Sequence, residues 1–438
     1  MGLISNKKIQ DYIREVCSQV RFRDVHQDIR LELEVHMGEI AKEYLELGFS
    51  EDEAVNKAIA QMGDADIVGK QLNKVHKPKP EWSVLLFSFI LINIGLLAMY
   101  FIQKQSLLTY DLQIFEKSLL FSAMSLICII GFYFFDYRKL EKYSKHIYLG
   151  TLVILIFTVF LGISVNGSRC WLSIGPFNIN FVTVSPLLFI VALSGIFNKW
   201  DWNSTVKLIQ ALGLFLLPLF LILAAPSVST GSIYALAFIV LMIASGAKLK
   251  KVFFIVVPVI IATLALPILT APYRLARILT FINPAKDPLG SGYLNMQLSK
   301  IFSNSGLWGR GLTFDTQVLP ELHTDFIFAF ITYTFGWVAS ILLITFVIMF
   351  LVRTANIARQ VKVNYAKLLI IGFVSILSVQ FLWNIFMNLG LAPISGVGLP
   401  FISYGGSQLI INAIIVGIIS SIYRRKNIAH NYKDTVHY

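Results

Sequence analysis

Ten runs of mostly apolar residues constrain this chain more than any other feature: 83–102, 118–135, 147–163, 181–197, 208–224, 231–247, 252–270, 326–352, 368–388 and 406–423. A hydrocarbon layer about 30 Å thick is crossed by roughly 20 apolar helical residues. Inside it every backbone N–H and C=O must be paired within the segment, so each run is predicted to be a transmembrane helix. Charged residues make up 14% of the 438, against roughly 25% in an average soluble chain. The expected fold class is therefore all-α: a polytopic membrane protein with about ten transmembrane helices plus a small N-terminal cytoplasmic helical domain. The division is 1–80 (cytoplasmic helical module and linker), 81–426 (membrane domain) and 427–438 (cytoplasmic tail). The first 80 residues are too charged for the apolar core of a signal peptide, so none is expected.

Charge sets the predicted orientation. With the N-terminus inside, the inner connections carry seventeen basic residues, from Arg138 and Lys139 to Arg425, Lys426 and Lys433. The outer ones carry eight: Lys104, Lys117, Arg169, Arg274, Arg277, Lys286, Lys300 and Arg310. This is a positive-inside pattern, and ten spans return the C-terminus to the cytoplasm. The net charge of +12 is thus accounted for by topology, and no nucleic-acid partner is expected. Cys17, Cys128 and Cys170 fall in three different compartments, so neither a disulfide nor a Cys-based metal site is expected.

Within 1–80, Ile29, Leu33, Met37, Ile40, Tyr44 and Leu47 recur at helical spacing. Gly48 closes that helix, and Ser50 with Glu53 forms a capping box for the next. Lys77-Pro78-Lys79-Pro80 is a stiff linker. His26, His36 and His76 are read as solvated surface residues. The segment resembles the permease-prefix modules of various bacterial membrane proteins, which implies a docking or regulatory role.

Chemistry has few places to reside. Segments 208–247 and 368–423 hold no charged residue, whereas an ion-coupled transporter keeps coupling charges near the midplane. Asp325 ends the string Pro320-Glu321-Leu322-His323-Thr324-Asp325 and stands before 27 uncharged residues, Phe326 to Val352. It either caps a helix in water or, facing a polar cavity, is a desolvated proton acceptor. It closes an outer connection, 271–325, too long to be structureless without a function. That connection also holds the acids Asp287, Asp315 and Glu321. Arg274 and Arg277, three apart, share a face of any helix there. They suit either lipid headgroups or a gripped phosphate. Two more outer segments, 167–177 and 388–407, are rich in Gly and Pro. The second is uncharged, and is either a tight connection or a re-entrant cavity wall.

Four strings resemble the SEDS family, the FtsW/RodA/SpoVE cell-wall proteins, over about 83–426. They are Pro320 to Ala329, Gly396-Val397-Gly398-Leu399-Pro400-Phe401-Ile402-Ser403-Tyr404-Gly405-Gly406-Ser407, Asn283 to Tyr293, and Gly306 to Leu312. The resemblance implies a ten-helix peptidoglycan glycosyltransferase at the outer face of the bacterial plasma membrane, acting in elongation, division or sporulation. Its substrate would be lipid II, and its usual partner a class B penicillin-binding protein. Asp325 matches the family's essential acid and would be the catalytic base. Arg169, Arg274, Arg277, Lys286, Glu321, His323, Ser403 and Ser407 would bind the substrate and its pyrophosphate. No cofactor is required; a divalent cation, Mg²⁺ or Mn²⁺, is compatible with the chemistry, but no ligand set for one is recognisable. The chain departs from the family pattern at Thr183, Pro186, Tyr333 and Thr334, which stand where charges are usual, and at Cys170, which replaces a basic residue. These departures keep open a non-catalytic scaffold or regulator, or a carrier of lipid-linked precursors.

Overall fold

The computed structural model describes residues 6–78, 80–105, 113–165, 168–175, 177–269, 271–312 and 319–426. Asp315 and the tail 427–438 lie outside them. The chain divides into two compact units, one formed by Met1–Pro80 with Tyr423–Tyr438 and the other by Glu81–Ile422.

The first unit contains four helices: α1 (Lys7–Gln19), α2 (His26–Glu46), α3 (Glu51–Met62) and α4 (Ala65–Val75). Ile9, Ile13 and Val16 of α1 pack with Ile29, Leu33 and Met37 of α2 and Val55 of α3. Gly48 follows α2 at φ +91°, a conformation that costs a side chain. At α3 the capping box is complete: Ser50 Oγ accepts from the Glu53 N–H, and Glu53 Oε2 accepts from the Ser50 N–H at 3.1 Å. Replacing Ser50 by Ala is expected to lower the opening free energy of α3 by about 1 kcal/mol. Hydrogen exchange of the Glu51–Met62 amides in the full-length protein checks this; unchanged protection would mean the cap is redundant. Within the same unit, Arg425 Nε donates to Asp24 Oδ2 at 2.8 Å, with the arginine nearly inaccessible. His36 is exposed as expected, but His26 is half-buried, its Nε2 2.6 Å from the Val20 carbonyl oxygen. That histidine secures the α1–α2 turn.

The second unit is the membrane part. Its helices are α5 (Trp82–Lys104), α6 (Ile114–Phe134), the short α7 (Arg138–Lys142), α8 (Ser144–Leu161), α9 (Phe181–Phe197), α10 (Thr205–Ala224) and α11 (Val228–Ala244). A one-turn α12 (Leu249–Lys251) runs through a π turn into α13 (Val257–Leu269). Then come α14 (Pro272–Ile282), α15 (Tyr293–Asn304), α16 (Ile327–Gln360), α17 (Asn364–Asn388) and α18 (Gly406–Arg424). Among the described residues eight helices are long and apolar enough to cross a membrane, and α9 and α11 are shorter apolar helices of 17 residues. All ten correspond to the predicted runs, and the chain is a mostly helical, multi-pass membrane protein. α17 packs against α9, α11 and α16, and 67% of its apolar window is buried, against 17% for α6. α17 is therefore the central post and α6 presents most of its surface outward.

Two connections are more ordered than their composition suggests. Residues read as a Gly/Pro-rich loop form a three-stranded antiparallel sheet: β1 (Ile163–Val165), β2 (Ser168–Ile174) and β3 (Phe177–Asn180), with Trp171 opposite both Ile163 and Asn180. Gly175, at φ +61°, makes the β2–β3 turn. The outer connection contains α14 and α15. Between them Asp287 is a turn former: its carboxylate accepts from the Gly290 and Ser291 N–H groups at 3.0 and 2.8 Å.

α16 is broken at Gly336 (φ 87°, ψ 174°). Backbone groups freed by such a break must find partners, and the loop after α15 supplies them. Arg310 N donates to Tyr333 O and Gly311 N to Thr334 O; Trp337 N donates to Gly306 O and Val338 N to Leu307 O, at 2.8 to 3.2 Å. The Gly306–Leu312 string thus acts as a backbone clip on a broken helix, and Tyr333 and Thr334 lend it their carbonyls.

Candidate functional site

Asp325 lies in a turn that precedes α16. The N–H groups of Thr324, Asp325 and Phe326 converge on the Glu321 carbonyl at 3.1, 3.0 and 3.4 Å. Glu321 adopts φ +55° to make this possible. Its Oε2 accepts from Thr324 Oγ1 at 3.0 Å. The turn is short because Phe326 already begins the helix, its carbonyl accepting from Phe330 N. Asp325's own carbonyl falls outside that ladder. It accepts instead from the side-chain amides of Asn384 and Asn388, at 3.0 and 3.1 Å.

The segment between α17 and α18 wraps the same turn. Ser403 Oγ donates to the Thr324 carbonyl at 2.5 Å and accepts from the Leu399 N–H at 2.7 Å. Tyr404 N donates to the His323 carbonyl at 2.9 Å, and the two rings lie 5.4 Å apart. Asp325 Oδ2 is only 3.8 Å from where a β-carbon at Gly396 would sit. This irregular stretch is therefore a wall of the site. On its other side Ser403 and Tyr404 also line a cavity of about 20 Å³ with Ile92, Gly95, Ser118 and Phe121, and Asp325 is not among the residues lining it.

The electrostatics follow from burial. Desolvation, reinforced by the Glu321 charge, pushes the Asp325 carboxyl from 3.8 up to about 7. Burial lowers the His323 pKa, with the Glu321 charge opposing; its Nδ1 is buried with no hydrogen-bond partner among the described residues. Burial also raises Tyr404. A carboxylate poised near neutrality can take a proton from a bound hydroxyl and release it again.

Of the residues predicted for the site, Glu321, His323, Asp325 and Ser403 come together. Ser407 opens α18, half-buried. Arg169 is exposed on β2 and Lys286 is exposed beyond α14, while Arg274 and Arg277 share α14, half-buried and exposed respectively. None of these cations is among the charges shifting Asp325. Asn384 and Asn388 belong to none of the four strings, and the signal for them is two asparagines one turn apart in the uncharged run 368–388, while Gly396 opens one of the strings. Thr183 serves the first turn of α9, its N–H donating to Asn180 Oδ1 at 3.1 Å. Cys170 is buried, with Sγ donating to the Ala225 carbonyl at 3.5 Å. Among the described residues no three His, Cys, Asp or Glu side chains are grouped to hold a metal ion.

Comparison with known proteins gives consistent results. The family model described as a cell cycle protein, covering FtsW, RodA and SpoVE, matches residues 81–428. Stage V sporulation protein E of Bacillus subtilis (strain 168) is 29% identical over 80% of this chain and 98% of its own length. The probable peptidoglycan glycosyltransferase FtsW of Escherichia coli O157:H7 is 32% identical over 64% of this chain and 70% of its own. Among solved structures, a chain of a peptidoglycan synthase complex that coordinates polymerization and crosslinking superimposes with TM-score 0.67 at 21% identity, covering 80% of this chain and 98% of that one. The rod shape determining protein RodA of Thermus thermophilus superimposes with TM-score 0.61 at 19% identity and the same coverage.

Proposed function

The chain belongs to the FtsW/RodA/SpoVE family of cell cycle proteins, and from that membership we propose that it is a peptidoglycan glycosyltransferase that polymerises lipid II. The observation that carries this reading is the Asp325 carboxyl, partly buried in a polar turn and raised to about 7. In the reaction, Asp325 takes the proton of the acceptor sugar's 4-hydroxyl. That oxygen forms a bond to the anomeric carbon of the growing strand. The bond from the same carbon to the undecaprenyl pyrophosphate breaks, and the pyrophosphate leaves with the electron pair. Arg169, Arg274, Arg277 and Lys286 are proposed to draw in and hold that anion, where electrostatic support of developing charge contributes several kcal/mol. Glu321, His323, Ser403 and Ser407 are proposed to bind the substrate and its pyrophosphate with them. A divalent cation would supply charge neutralisation at the pyrophosphate, and no step here depends on one.

The basic inner connections support an orientation with both termini in the cytoplasm and the Asp325 turn on the outer face. A class B penicillin-binding protein is the proposed partner. The test is glycan-strand formation from lipid II by the purified full-length protein, alone and with such a partner. Polymer from the wild type that vanishes in Asp325→Asn is the expected result. No polymer with every partner tried would leave a scaffold or a precursor carrier instead.

Glu321 provides a further check. Its charge raises Asp325, so Glu321→Gln lets the carboxyl ionise at lower pH. Activity needs the ionised base and is lost as pH falls through its pKa. The acid limb of kcat/KM is therefore expected near pH 7 in the wild type and lower in Glu321→Gln. A limb that stays in place would remove Glu321 from the site.

A further inference from the structure

We propose that Asn384 and Asn388 are positioning residues that hold Asp325 in its reacting place by gripping its main chain. The inference rests on Asp325 being the base in the proposed reaction. Asn384 is 0% and Asn388 1% exposed, in the uncharged run 368–388. Burying an amide among apolar helices costs free energy unless its hydrogen bonds are made. Here both amide nitrogens are engaged, each with one bond to the Asp325 carbonyl, while Asn388 Oδ1 is buried with no partner among the described residues. Asn384 Nδ2 donates to the Asp325 carbonyl at 3.0 Å and to the Val397 carbonyl at 2.7 Å. Asn388 Nδ2 donates to the Asp325 carbonyl at 3.1 Å and to the Asn384 carbonyl at 2.8 Å.

The consequence is geometric. Asp325 is held by its N–H, through the Glu321 carbonyl, and by its C=O, through the asparagines. With both peptide groups fixed, the direction of its Cα–Cβ bond is fixed. Asn384 also holds Val397, whose neighbour Gly396 lies against Asp325 Oδ2. One amide on the central post thus sets both the acid and the wall facing it. The carboxylate itself makes no bond to either asparagine and stays free for substrate. A misplacement of about 1 Å at a reacting group costs on the order of 100-fold in rate.

A purely structural role would lower stability without altering the acid. The titration of Asp325 separates the two roles. The charge acting on it is that of Glu321 from its own turn; His323 of the same turn packs against Tyr404 of the 396–405 segment, and α17 contributes the two amides. Without the grip, the turn relaxes toward water and the carboxyl's desolvation is lost.

The experiment compares full-length Asn384→Leu and Asn388→Leu with wild type. Asn93→Leu is the control; its amide bonds only the Phe89 carbonyl of its own helix. Two quantities are measured: kcat and KM for lipid II polymerisation with the partner, and the infrared titration of the Asp325 carboxyl, assigned by its absence in Asp325→Asn. Asn384→Leu is expected to lower kcat by on the order of 10- to 100-fold with KM changed less than about twofold. Its carboxyl midpoint is expected to fall by about one unit or more from the wild-type value near 7. Asn388→Leu, which keeps the Asn384 bonds, should shift the same way by less, and remains informative if Asn384→Leu does not fold. A midpoint at or above the wild-type value, or an unchanged kcat in Asn384→Leu, overturns the proposal. The infrared arm needs no turnover, so a protein that makes no polymer would sink the transferase reading alone.

Discussion

Asp325→Asn is expected to abolish glycan-strand synthesis and, above about pH 7, to give a protein more stable than the wild type. Both effects have one cause. The turn raises the carboxyl from 3.8 to about 7 by desolvation and by the Glu321 charge. A raised carboxyl pKa means the folded state holds its proton more tightly than the unfolded chain. Folding stability therefore falls as pH rises from about 4 to about 7, by up to about 4 kcal/mol for a shift of this size. Asparagine has nearly the shape of the protonated acid and carries no charge at any pH. The variant keeps the turn, whose hydrogen bonds use the Asp325 main chain and not its carboxylate, and escapes the cost of a buried carboxylate. Its advantage should vanish near pH 4 and be complete above about pH 7. Thermal midpoints of both proteins in detergent, taken across that range, measure it. Equal midpoints at high pH would deny the desolvated carboxylate, and polymer made by the variant would deny the base. A site that sacrifices stability for chemistry is a common trade.

Gly336→Ala should be strongly destabilising for a change of a single methyl. Gly336 has φ +87°, and a β-carbon there would stand 2.2 Å from the Leu307 carbonyl oxygen and 2.4 Å from the Gly309 nitrogen. Both are backbone atoms, so no side chain can swing away. Gly309 is the reciprocal case: at φ +83° its β-carbon would stand 2.3 Å from the Thr334 carbonyl oxygen. The two glycines interlock, and either alanine must open the four-bond clip on α16. Strain in the left-handed region and the lost clip together are expected to cost at least about 3 kcal/mol. Folded yield and thermal midpoint report this, with Gly131→Ala as the comparison because open space surrounds Gly131. Near-neutral behaviour of Gly336→Ala would mean α16 can run unbroken. Activity should fall with the clip, because the break lies eleven residues beyond Asp325 on the helix that the acid turn leads into.

The spans were legible because one physical constraint sets them: a segment in hydrocarbon must satisfy its own backbone and shed its charge. That writes itself into composition over some 20 residues, and the ten runs match ten helices to within a few residues at most ends. The capping box at Ser50 was legible for a similar reason, since both partners lie within four residues of sequence. The small sheet was not. Its pairing depends on β2 finding β1 and β3 across turns, and Gly and Pro at 167, 175 and 176 outweigh the alternation of Cys170, Leu172 and Ile174.

The sequence by itself therefore determined the membrane class, the number and places of the spans, and the identity of Asp325 as an acid with few charged rivals. Only the tertiary structure decided what surrounds that acid. Its carboxyl is raised because residues 59 to 78 positions later, Asn384 to Ser403, close over a turn that would otherwise sit in water. Arg169 lies on β2, Arg274 and Arg277 on α14 and Lys286 just beyond it, and none of them is among the charges that shift the acid. The spans were local properties of the chain. The site is a property of contacts between distant segments, and sequence spacing carries no measure of desolvation.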